Sequence, residues 1–294
     1  MVSWPDVGTR VTVRYRRPAG SVPPLTDAVG HLLAVDPVVR VRTKTGAVVE
    51  FAPADVVALR TLTDAPVRTS QIRALEYAGA AAWPGAERAW LDGWLLRAGH
   101  AAGLTANSAM PLDISAQASA VPGIVAWYQR RGLIPRLAIP DRLLRLPPGA
   151  TAEHTERVLV RDVRSVDEPD PAIILSPRPD DAWLGIYGHE IPIDVLTAVI
   201  DGELMFGTHP GGAVARAALT DAPDGTRWVG LSAIRADDGQ VGAALCEALL
   251  AWAARRGATR GYTRAHDGGA TDLVDSLGFR LHHRRRYVGA LDTV

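Results

Sequence analysis

One stretch near the C-terminal end combines residues that could hold a phosphate. A predicted strand at residues 227–234 leads through a polar loop at 235–239 into a helix predicted from about residue 240 to 256. The first-turn amides of a helix lack intrahelical partners and lie at the positive end of its macrodipole. The small residues Gly242 and Ala243 would let an anion approach the backbone closely. The pattern predicts an anion site suited to a pyrophosphate.

A second group of residues could move protons. Asp201 and Glu203 precede a strand predicted at 213–219, and Glu203 is the better candidate for a general base because apolar residues follow it. A solvated carboxylate is the more common alternative for either residue. His189-Glu190 and His209 are weaker candidates, since no HExxH motif is present and a lone loop histidine is usually structural or solvated.

The remaining reactive side chains have simpler interpretations. Tyr262 and Tyr287 lie on neighbouring predicted strands and could act as acids, although buried tyrosines are more often packed aromatics. Cys246 lies within the helix pattern, which favours a small core residue over a nucleophile. The run HHRRR at 282–286 could bind an acidic partner, but its side chains alternate between strand faces, and this favours a solvated surface.

The elements that must position these residues fall into two domains. Short β runs at 10–15, 28–35, 38–42, 47–51 and 56–62 predict a barrel that resembles SH3-like or Tudor-like domains and spans residues 1–64. In the third run, Arg40 and Arg42 share one face, and Val39 and Val41 share the other. The barrel could bind nucleic acid through Arg10, Arg14, Arg16 and Arg17, but they do not form a basic stripe interleaved with aromatic residues, so a nucleic-acid partner is the less favoured interpretation.

The second domain is predicted to span residues 67–294, after a linker at 63–66. A helix at 69–82, a strand-like run at 90–97, a helix at 124–131 and strands at 134–139 and 157–163 indicate an α/β arrangement. A turn at 221–225, a strand at 259–264, a short helix at 270–277 and a strand at 280–288 complete the pattern. We find no internal sequence repeat.

The segment WVGLSAIRADDGQVGAALCEALLAWAARRGATRGYTRAHDGGATDLVDSLGFRLHHRRRY resembles the GCN5-related N-acetyltransferase (GNAT) superfamily. That family has R/Q-x-x-G-x-G/A at a helix start and N-x-x-A-x-x-L-Y-x-x-L-G-F in a distal helix. Upstream, LDGWLLRAG, ANSAMPL and WYQRRGL also resemble these enzymes. With its barrel, the whole chain is similar to a mycobacterial histone-acetyltransferase-like group that has an SH3 domain ahead of a GNAT domain.

The resemblance implies an α+β fold, in which a GNAT mixed sheet flanked by helices follows a small all-β SH3-like barrel. Residues 67–163 would form the N-terminal part of the GNAT domain, 164–212 a variable acceptor-side segment, and 213–294 the acyl-CoA-binding part. Acetyl-CoA would bind between two splayed parallel strands, where an amine attacks the thioester directly. The implied cofactor contacts are Leu231, Ser232 and Ala233 for the pantetheine, and Arg235, Gln240, Val241, Gly242 and Ala243 for the pyrophosphate.

Several positions depart from the family pattern. Gln240 replaces the first glycine of the motif and Asp237 its Arg/Gln; Asp237 and Asp238 could cap the helix, but their charge would oppose CoA. In the distal helix, Asp267 stands at the usual Asn position and Ala270 and Leu273 agree with the pattern. Val274 replaces the tyrosine that commonly acts as general acid, which leaves Tyr287 or Tyr262 for that role.

These features predict an N-acetyltransferase that acts on an amine of a protein lysine or a small molecule. A catalytically degenerate acyl-CoA-binding or interaction protein is the alternative. The 32 basic and 32 acidic residues balance, which excludes a global attraction to nucleic acid or anionic membranes. A single cysteine and the absence of a predicted leader, apolar span or metal motif indicate a cytoplasmic protein without metal. A homodimer remains among the oligomeric states.

Overall fold

The computed structural model describes residues 4–5, 7–62, 67–99, 103–145, 151–163, 170–188, 191–266 and 272–290. Contacts divide the chain into two units, Met1–Pro66 and Val67–Val294. The predicted linker at 63–66 lies outside the described residues. Each unit has its own buried apolar core.

The first unit is a small antiparallel β domain, as the alternating sequence predicts. Its strands follow the order β4-β3-β2-β1-β5, and a 3₁₀ turn at Pro53–Asp55 precedes the last one. In β3, Val39 and Val41 are fully buried while Arg40 and Arg42 are exposed, which confirms the predicted division of faces. The strands are β1 (Arg10–Arg16), β2 (Leu25–Ala34), β3 (Val39–Thr43), β4 (Val48–Phe51) and β5 (Val56–Thr61).

The second unit is a mixed sheet flanked by helices. Among its described residues, eleven strands follow the order β11-β12-β13-β14-β15-β10-β16-β9-β8-β7-β6. The strands are β6 (Glu87–Leu91), β7 (Trp94–Ala98), β8 (Ala109–Pro111), β9 (Arg136–Pro140), β10 (His154–Asp162), β11 (Ile174–Ser176), β12 (Glu203–His209), β13 (Ala213–Asp221), β14 (Arg227–Arg235), β15 (Arg260–His266) and β16 (Arg280–Gly289). The helices are α1 (Thr69–Ala82), α2 (Gly103–Ala106), α3 (Val121–Gln129), α4 (Asp181–Tyr187), α5 (Ile193–Leu196), α6 (Gly239–Ala254) and α7 (Asp272–Ser276).

The strand order repeats itself about the centre of this sheet. In the C-terminal half, hairpin β12-β13 is followed by β14, helix α6 and β15, which is parallel to β14. In the N-terminal half, hairpin β6-β7 is followed by β8, helix α3 and β9, which is parallel to β8. The final strand of each half is exchanged, because β10 pairs with β15 while β16 pairs with β9. The two halves therefore share one topology, a structural repeat without a recognisable repeat in the sequence.

The exchange places β16 in the middle of the sheet, and this overturns the expected exposure of residues 282–286. Strand β16 lies between β10 and β9, so both of its edges are paired. His282, His283 and Arg285 are at most 5% exposed, and His283 and Arg285 bind Glu76 of helix α1. The prediction of a solvated surface was wrong because a charge run says nothing about the buried partner that neutralises it.

The predicted strand-like run at 90–97 is in fact a hairpin. Strands β6 and β7 are joined through Asp92 and Gly93, which have φ of 44° and 83°. Two successive positive φ values are typical of the two-residue hairpin turn that favours Asp-Gly. The apolar residues on both sides of the turn concealed this signal in the sequence.

Candidate functional site

Two parallel strands separate and leave a cavity between them. Strand β15 pairs with β14 only from Trp228 to Gly230, whereas β14 continues to Arg235 and β15 to His266. The diverging ends line a cavity of about 550 Å³. This size lies in the range of small-molecule sites, roughly 300–1,000 Å³. The other lining residues come from β10, from α2, from Trp83 after α1, and from Tyr187 and Ile191 around the end of α4.

A bulge turns the backbone of β14 toward this cavity. Strand β13 pairs Arg216 with Ser232 but Val214 with Arg235, so β14 has one extra residue between these pairs. Ala233 lies in that interval with φ of 50°, a conformation that non-glycine residues seldom adopt. Bulges commonly redirect a strand next to a functional site. Here the bulge lies among residues 230–235, all of which line the cavity.

The narrow end of the cavity contains Tyr262. Its side chain lies over the backbone of Gly230, where a β-carbon would overlap with the tyrosine ring and hydroxyl. The residue is 3% exposed, and its hydroxyl has no hydrogen-bond partner within the described part of the chain. Burial raises the pKa of Tyr262, and this effect exceeds the opposing influence of Arg264. The hydroxyl therefore stays protonated at neutral pH and is free to donate.

Three titratable side chains lie on adjacent strands at the wide end. His154 and Glu156 project from β10, and His266 of β15 is paired in register with Glu156. The rings of His154 and His266 meet edge to face with centroids 4.0 Å apart. Burial, followed by the charge of His266, lowers the pKa of His154 below its ordinary value. His154 is therefore neutral at pH 7 and able to accept a proton.

Glu156 is held in place from behind by a buried network. The Tyr287 hydroxyl donates to its Oε2 at 3.0 Å, and Arg285 Nη1 donates to the same oxygen at 3.3 Å. Arg285 Nε in turn donates to Glu76 Oε1 at 3.0 Å, and His283 Nε2 lies 2.8 Å from the same atom. Burial would raise the pKa of Glu76, but Arg285 and His283 hold it well below its usual range. The network is charged, paired and closed to solvent.

The C-terminal end of α1 forms another wall and collects three guanidinium groups. Arg97 donates to Trp83 O at 3.2 Å, Arg216 to Ala82 O at 2.8 Å, and Arg264 to Gly79 O at 3.4 Å. The last carbonyls of a helix lack internal partners, and the macrodipole makes them attractive to cations. Burial lowers the pKa of Arg97 to about 10 and that of Arg216 to about 9.

The amides predicted to bind phosphate at the start of α6 already have a hydrogen-bond partner within the protein. Asp238 is the N-cap of α6, and its carboxylate accepts from the amides of Gln240 at 2.7 Å and Val241 at 3.3 Å. The amide of Gly242 donates to the Asp238 carbonyl as part of the helix. A β-carbon on Gly242 would lie 2.9 Å from that of Ala236, so the glycine serves the close approach of loop and helix. Arg235 lies at the cavity and over the Tyr187 ring.

Neither of the two catalytic residues predicted from sequence lines the cavity. Glu203 lies away from the cavity lining, is half-exposed and binds Arg256 Nε at 3.0 Å. Tyr287 is fully buried behind Glu156 and also lies outside the lining. Of the residues expected to contact the cofactor, Leu231, Ser232, Ala233 and Arg235 line the cavity, whereas Gln240, Val241, Gly242 and Ala243 do not. His189, Glu190, Asp267 and Ala270 lie outside the described residues.

Other sequence predictions concern the interior. Cys246 is fully buried, and burial followed by Glu247 raises its pKa to about 12, which confirms a core residue and excludes a thiolate nucleophile at neutral pH. Val274 packs into the apolar cluster beneath α6. His209 accepts from the amide of Gly211 at 2.9 Å in a turn. None of these three side chains lines the cavity.

Sequence reasoning missed His154, Glu156, Arg264 and His266. The spacing of His154 and Glu156 on a predicted strand places both on one face, and the same holds for Tyr262, Arg264 and His266. That alternation was the available signal. Its meaning depended on β10 pairing with β15, which are about a hundred residues apart in sequence and adjacent only through strand exchange.

The corresponding cleft in the N-terminal half is filled. Arg73 of α1 donates through Nη1 to the carbonyls of Pro111 and Leu112 at the free end of β8, the second bond being 2.5 Å long. The side chains of Met110 and Leu112 are fully buried beside Tyr287. A ligand could not add to β8 without displacing these groups, so only the C-terminal half offers an open strand pair in the described part of the chain.

Two features are missing from the described residues. No helix among them is long and apolar enough to span a membrane. No group of three or more His, Cys, Asp or Glu side chains among them is arranged to hold a metal ion.

Comparisons with known proteins agree with this geometry. The family description "Probable histone acetyltransferase Rv0428c C-terminal" matches residues 69–288, and "Rv0428c N-terminal Sm-like domain" matches residues 5–60. The Mycobacterium tuberculosis protein named "Probable histone acetyltransferase Rv0428c" is 66% identical over 295 residues, covering 99% of this chain and 97% of the relative. A GCN5-related N-acetyltransferase from Kribbella flavida superposes with a TM-score of 0.50 at 16% identity, covering 76% of this chain and 96% of its own. At that identity the likeness shows the fold alone.

Proposed function

The chain belongs to the family of the probable histone acetyltransferase Rv0428c, and from that membership we propose that it transfers an acetyl group from acetyl-CoA to an amine. One observation carries the proposal: strands β14 and β15 pair over three residues and then diverge around a cavity lined by proton-transfer groups. Acetyl-CoA would supply an activated thioester there. The protein's own groups would orient the amine and move two protons.

The open edge of β14 suits the pantetheine arm. Past Gly230, the strand is no longer paired with β15, and Leu231, Ser232 and Ala233 line the cavity. An extended ligand with amide groups can bind such an edge as an additional strand. One competing contact is present, because Thr263 Oγ donates to Leu231 O at 3.2 Å. The edge supports the predicted pantetheine contacts at these three residues.

Pyrophosphate binding requires a rearrangement at the start of α6. The amides of Gln240 and Val241 already donate to Asp238, and Gly242 and Ala243 lie inside the helix. We therefore place the pyrophosphate at the 235–239 loop, where its arrival displaces the Asp238 carboxylate from the two amides. Arg235 supplies the positive charge that opposes Asp237 and Asp238. This refines the role of the predicted phosphate-binding residues.

His154 is the group best placed to act as base. The acceptor nitrogen, once it has lost its proton to His154 directly or through water, attacks the thioester carbon to form the new C–N bond. His154 is neutral at pH 7, lines the cavity and has Glu156 beside it on the same strand face. Glu203 has none of these properties, so its predicted role as base passes to His154.

Tyr262 is the group best placed to act as acid. When the C–S bond breaks, the departing sulfur carries a negative charge, and the Tyr262 hydroxyl can donate its proton to it. The nitrogen releases its remaining extra proton as the amide forms, and that proton can restore Tyr262. The hydroxyl is buried at the narrow end of the cavity without a partner in the described part of the chain. Tyr287, predicted from sequence for this role, instead donates to Glu156 and positions it.

A degenerate acyl-CoA-binding protein remains the second candidate. The capped amides at α6 favour it, because they weaken the usual phosphate site. Val274 favours it as well, since a valine in the apolar cluster cannot replace a tyrosine acid.

Measurement of free CoA thiol during incubation with acetyl-CoA and a mixed panel of amines tests the enzyme. We expect thiol release that depends on both the amine and the protein. Saturable binding of acetyl-CoA without amine-dependent thiol would contradict catalysis and support the degenerate protein.

A further inference from the structure

The charges in the cavity indicate which kind of amine it accepts. Arg235, Arg264, His154 and His266 line it, and among the described lining residues Glu156 is the one carboxylate. Glu156 is itself bound by Arg285 and Tyr287. A purely cationic acceptor, such as a lysine side chain in a protein, would bring positive charge close to the guanidinium of Arg264 and offer that group no anion.

Arg264 has one long hydrogen bond to the protein and lies over the Tyr262 ring. Its Nη2 donates to Gly79 O at 3.4 Å, and its buried Nε has no partner within the described residues. An unmatched buried donor is costly unless something fills it. Arg216, by comparison, donates to the carbonyls of Ala82, Leu196 and Ala198. Arg264 therefore has hydrogen-bond donors that the described protein groups do not satisfy.

The neighbouring Tyr262 provides an independent observation. Tyr262 is 3% exposed and lines the cavity beside Arg264. Its hydroxyl has no hydrogen-bond partner among the residues that the structure describes. A β-carbon on Gly79 would lie 2.7 Å from Arg264 Nη2 and 3.7 Å from the Tyr262 hydroxyl, which shows how closely the two donors converge. The guanidinium of Arg264, next to this cavity-lining residue, favours an anionic group such as a carboxylate.

The cavity also offers a matched opposite charge nearby. Strand β10 pairs Glu156 with His266 and Val158 with Arg264, so Glu156 and Arg264 are diagonal neighbours on one face. Such neighbours lie roughly 7–8 Å apart. The carboxylate of Glu156 points toward Arg285 and Tyr287, while Arg264 points toward α1. A molecule with an ammonium and a carboxylate a few bonds apart matches this spacing.

We propose that the acceptor is a small amine with a carboxylate close to its amino group, such as an α- or β-amino acid, whose carboxylate binds Arg264 and whose amino group lies beside Glu156 and His154. This inference rests on the proposed acetyl transfer. Binding the carboxylate with the guanidinium fork of Arg264 satisfies the unmatched donor and fixes the amine toward the base.

The experiment compares acceptors that differ only in charge. Thiol release from acetyl-CoA is measured with α- and β-amino acids, with their carboxamides, and with lysine-containing peptides whose termini are blocked. We expect kcat/KM for the free carboxylates to exceed that for the carboxamides by about 10- to 100-fold. Equal rates for acid and amide, or a preference for blocked lysine peptides, would overturn the inference and leave acetyl transfer intact.

Variants of Arg264 test whether this residue causes the preference for free carboxylates over carboxamides. Arg264→Met should raise KM for the amino acids and equalise acid and amide, with KM for acetyl-CoA unchanged, and Arg264→Lys should restore part of the preference. Arg255→Met, at the exposed end of α6, is the control and should behave like the wild type. A preserved acid preference in folded Arg264→Met contradicts the assignment. Absence of thiol with every amine, despite acetyl-CoA binding, would refute the proposed function itself.

Discussion

The ring of Tyr262 lies directly over the backbone of Gly230, at the point where strands β14 and β15 stop pairing. No side chain larger than hydrogen fits at residue 230 without moving the tyrosine. The contact therefore fixes a buried, protonated hydroxyl at the narrow end of the cavity. That position makes Tyr262 the leaving-group acid in the proposed reaction.

Tyr262→Phe should reduce kcat by about 10²–10⁴-fold, the usual contribution of a positioned acid or base. The free energy of unfolding should stay the same or rise slightly, because the lost hydroxyl has no partner in the described part of the chain. Steady-state kinetics and denaturant unfolding of the same preparation check both expectations.

Tyr128→Phe is the matched control. The Tyr128 hydroxyl donates to Arg97 O at 2.9 Å and accepts from Arg97 N at 3.2 Å, outside the cavity lining. Its removal should lower the stability by about 1–3 kcal/mol and leave kcat unchanged. A Tyr262→Phe enzyme with normal kcat would show that another group protonates the sulfur.

His154 sets the expected pH dependence. Burial lowers its pKa below the ordinary 6.5, so the neutral, proton-accepting form persists to lower pH than for a free histidine. The rate at saturating acceptor should rise with pH through that lowered pKa and level off before pH 7. His154→Gln should abolish this acidic limb and reduce kcat by about 10²–10⁴-fold, whereas His209→Gln should retain it. An unchanged acidic limb in His154→Gln would exclude His154 as the base.

Substitutions of Glu156, which lines the cavity, and of Glu203, the general base predicted from sequence, can be compared directly. Glu156→Gln should raise the KM of the acceptor about tenfold, because it removes the negative charge that Glu156 contributes to the cavity lining. Glu203→Gln should be nearly silent, since its exposed pair with Arg256 contributes only about 0–1 kcal/mol. Loss of activity in Glu203→Gln with activity kept in Glu156→Gln would instead support Glu203 as the general base.

Asp238→Ser should improve the apparent affinity for acetyl-CoA. Serine can still cap α6, but the negative charge beside the pyrophosphate is gone. We expect KM for acetyl-CoA to fall roughly two- to fivefold, from the size of such helix-end charge effects. Asp224→Ser removes an aspartate that accepts from the Thr226 amide in a distant turn and should leave KM unchanged. A higher KM in Asp238→Ser would mean that the carboxylate assists cofactor binding.

Local sequence patterns predicted much of the fold. The predicted helix at 69–82 has the bounds of α1, and the helix predicted at about 240–256 and the alternation in β3 also describe real elements. The residues of β14 that line the cavity are among those that the family resemblance implied as cofactor contacts. These features depend on neighbours in sequence, so periodicity and turn chemistry were sufficient.

The catalytic groups depend on distant contacts. His154 and Tyr262 come together only because β10 inserts beside β15, and the HHRRR run is buried only because Glu76 lies opposite. No local propensity encodes which strands exchange or which charge finds a partner. Glu203 looked attractive for the apolar residues that follow it, yet its own side chain points to Arg256 at the surface.

Calorimetric titration of the full chain with acetyl-CoA tests the central claim, that the diverging strands β14 and β15 form the cofactor site. We expect saturable binding of one acetyl-CoA per chain, with a dissociation constant in the micromolar to millimolar range typical of enzyme substrates. A single site follows because Arg73 and Leu112 fill the N-terminal cleft. Two sites per chain, or no heat at near-millimolar acetyl-CoA, would contradict the account.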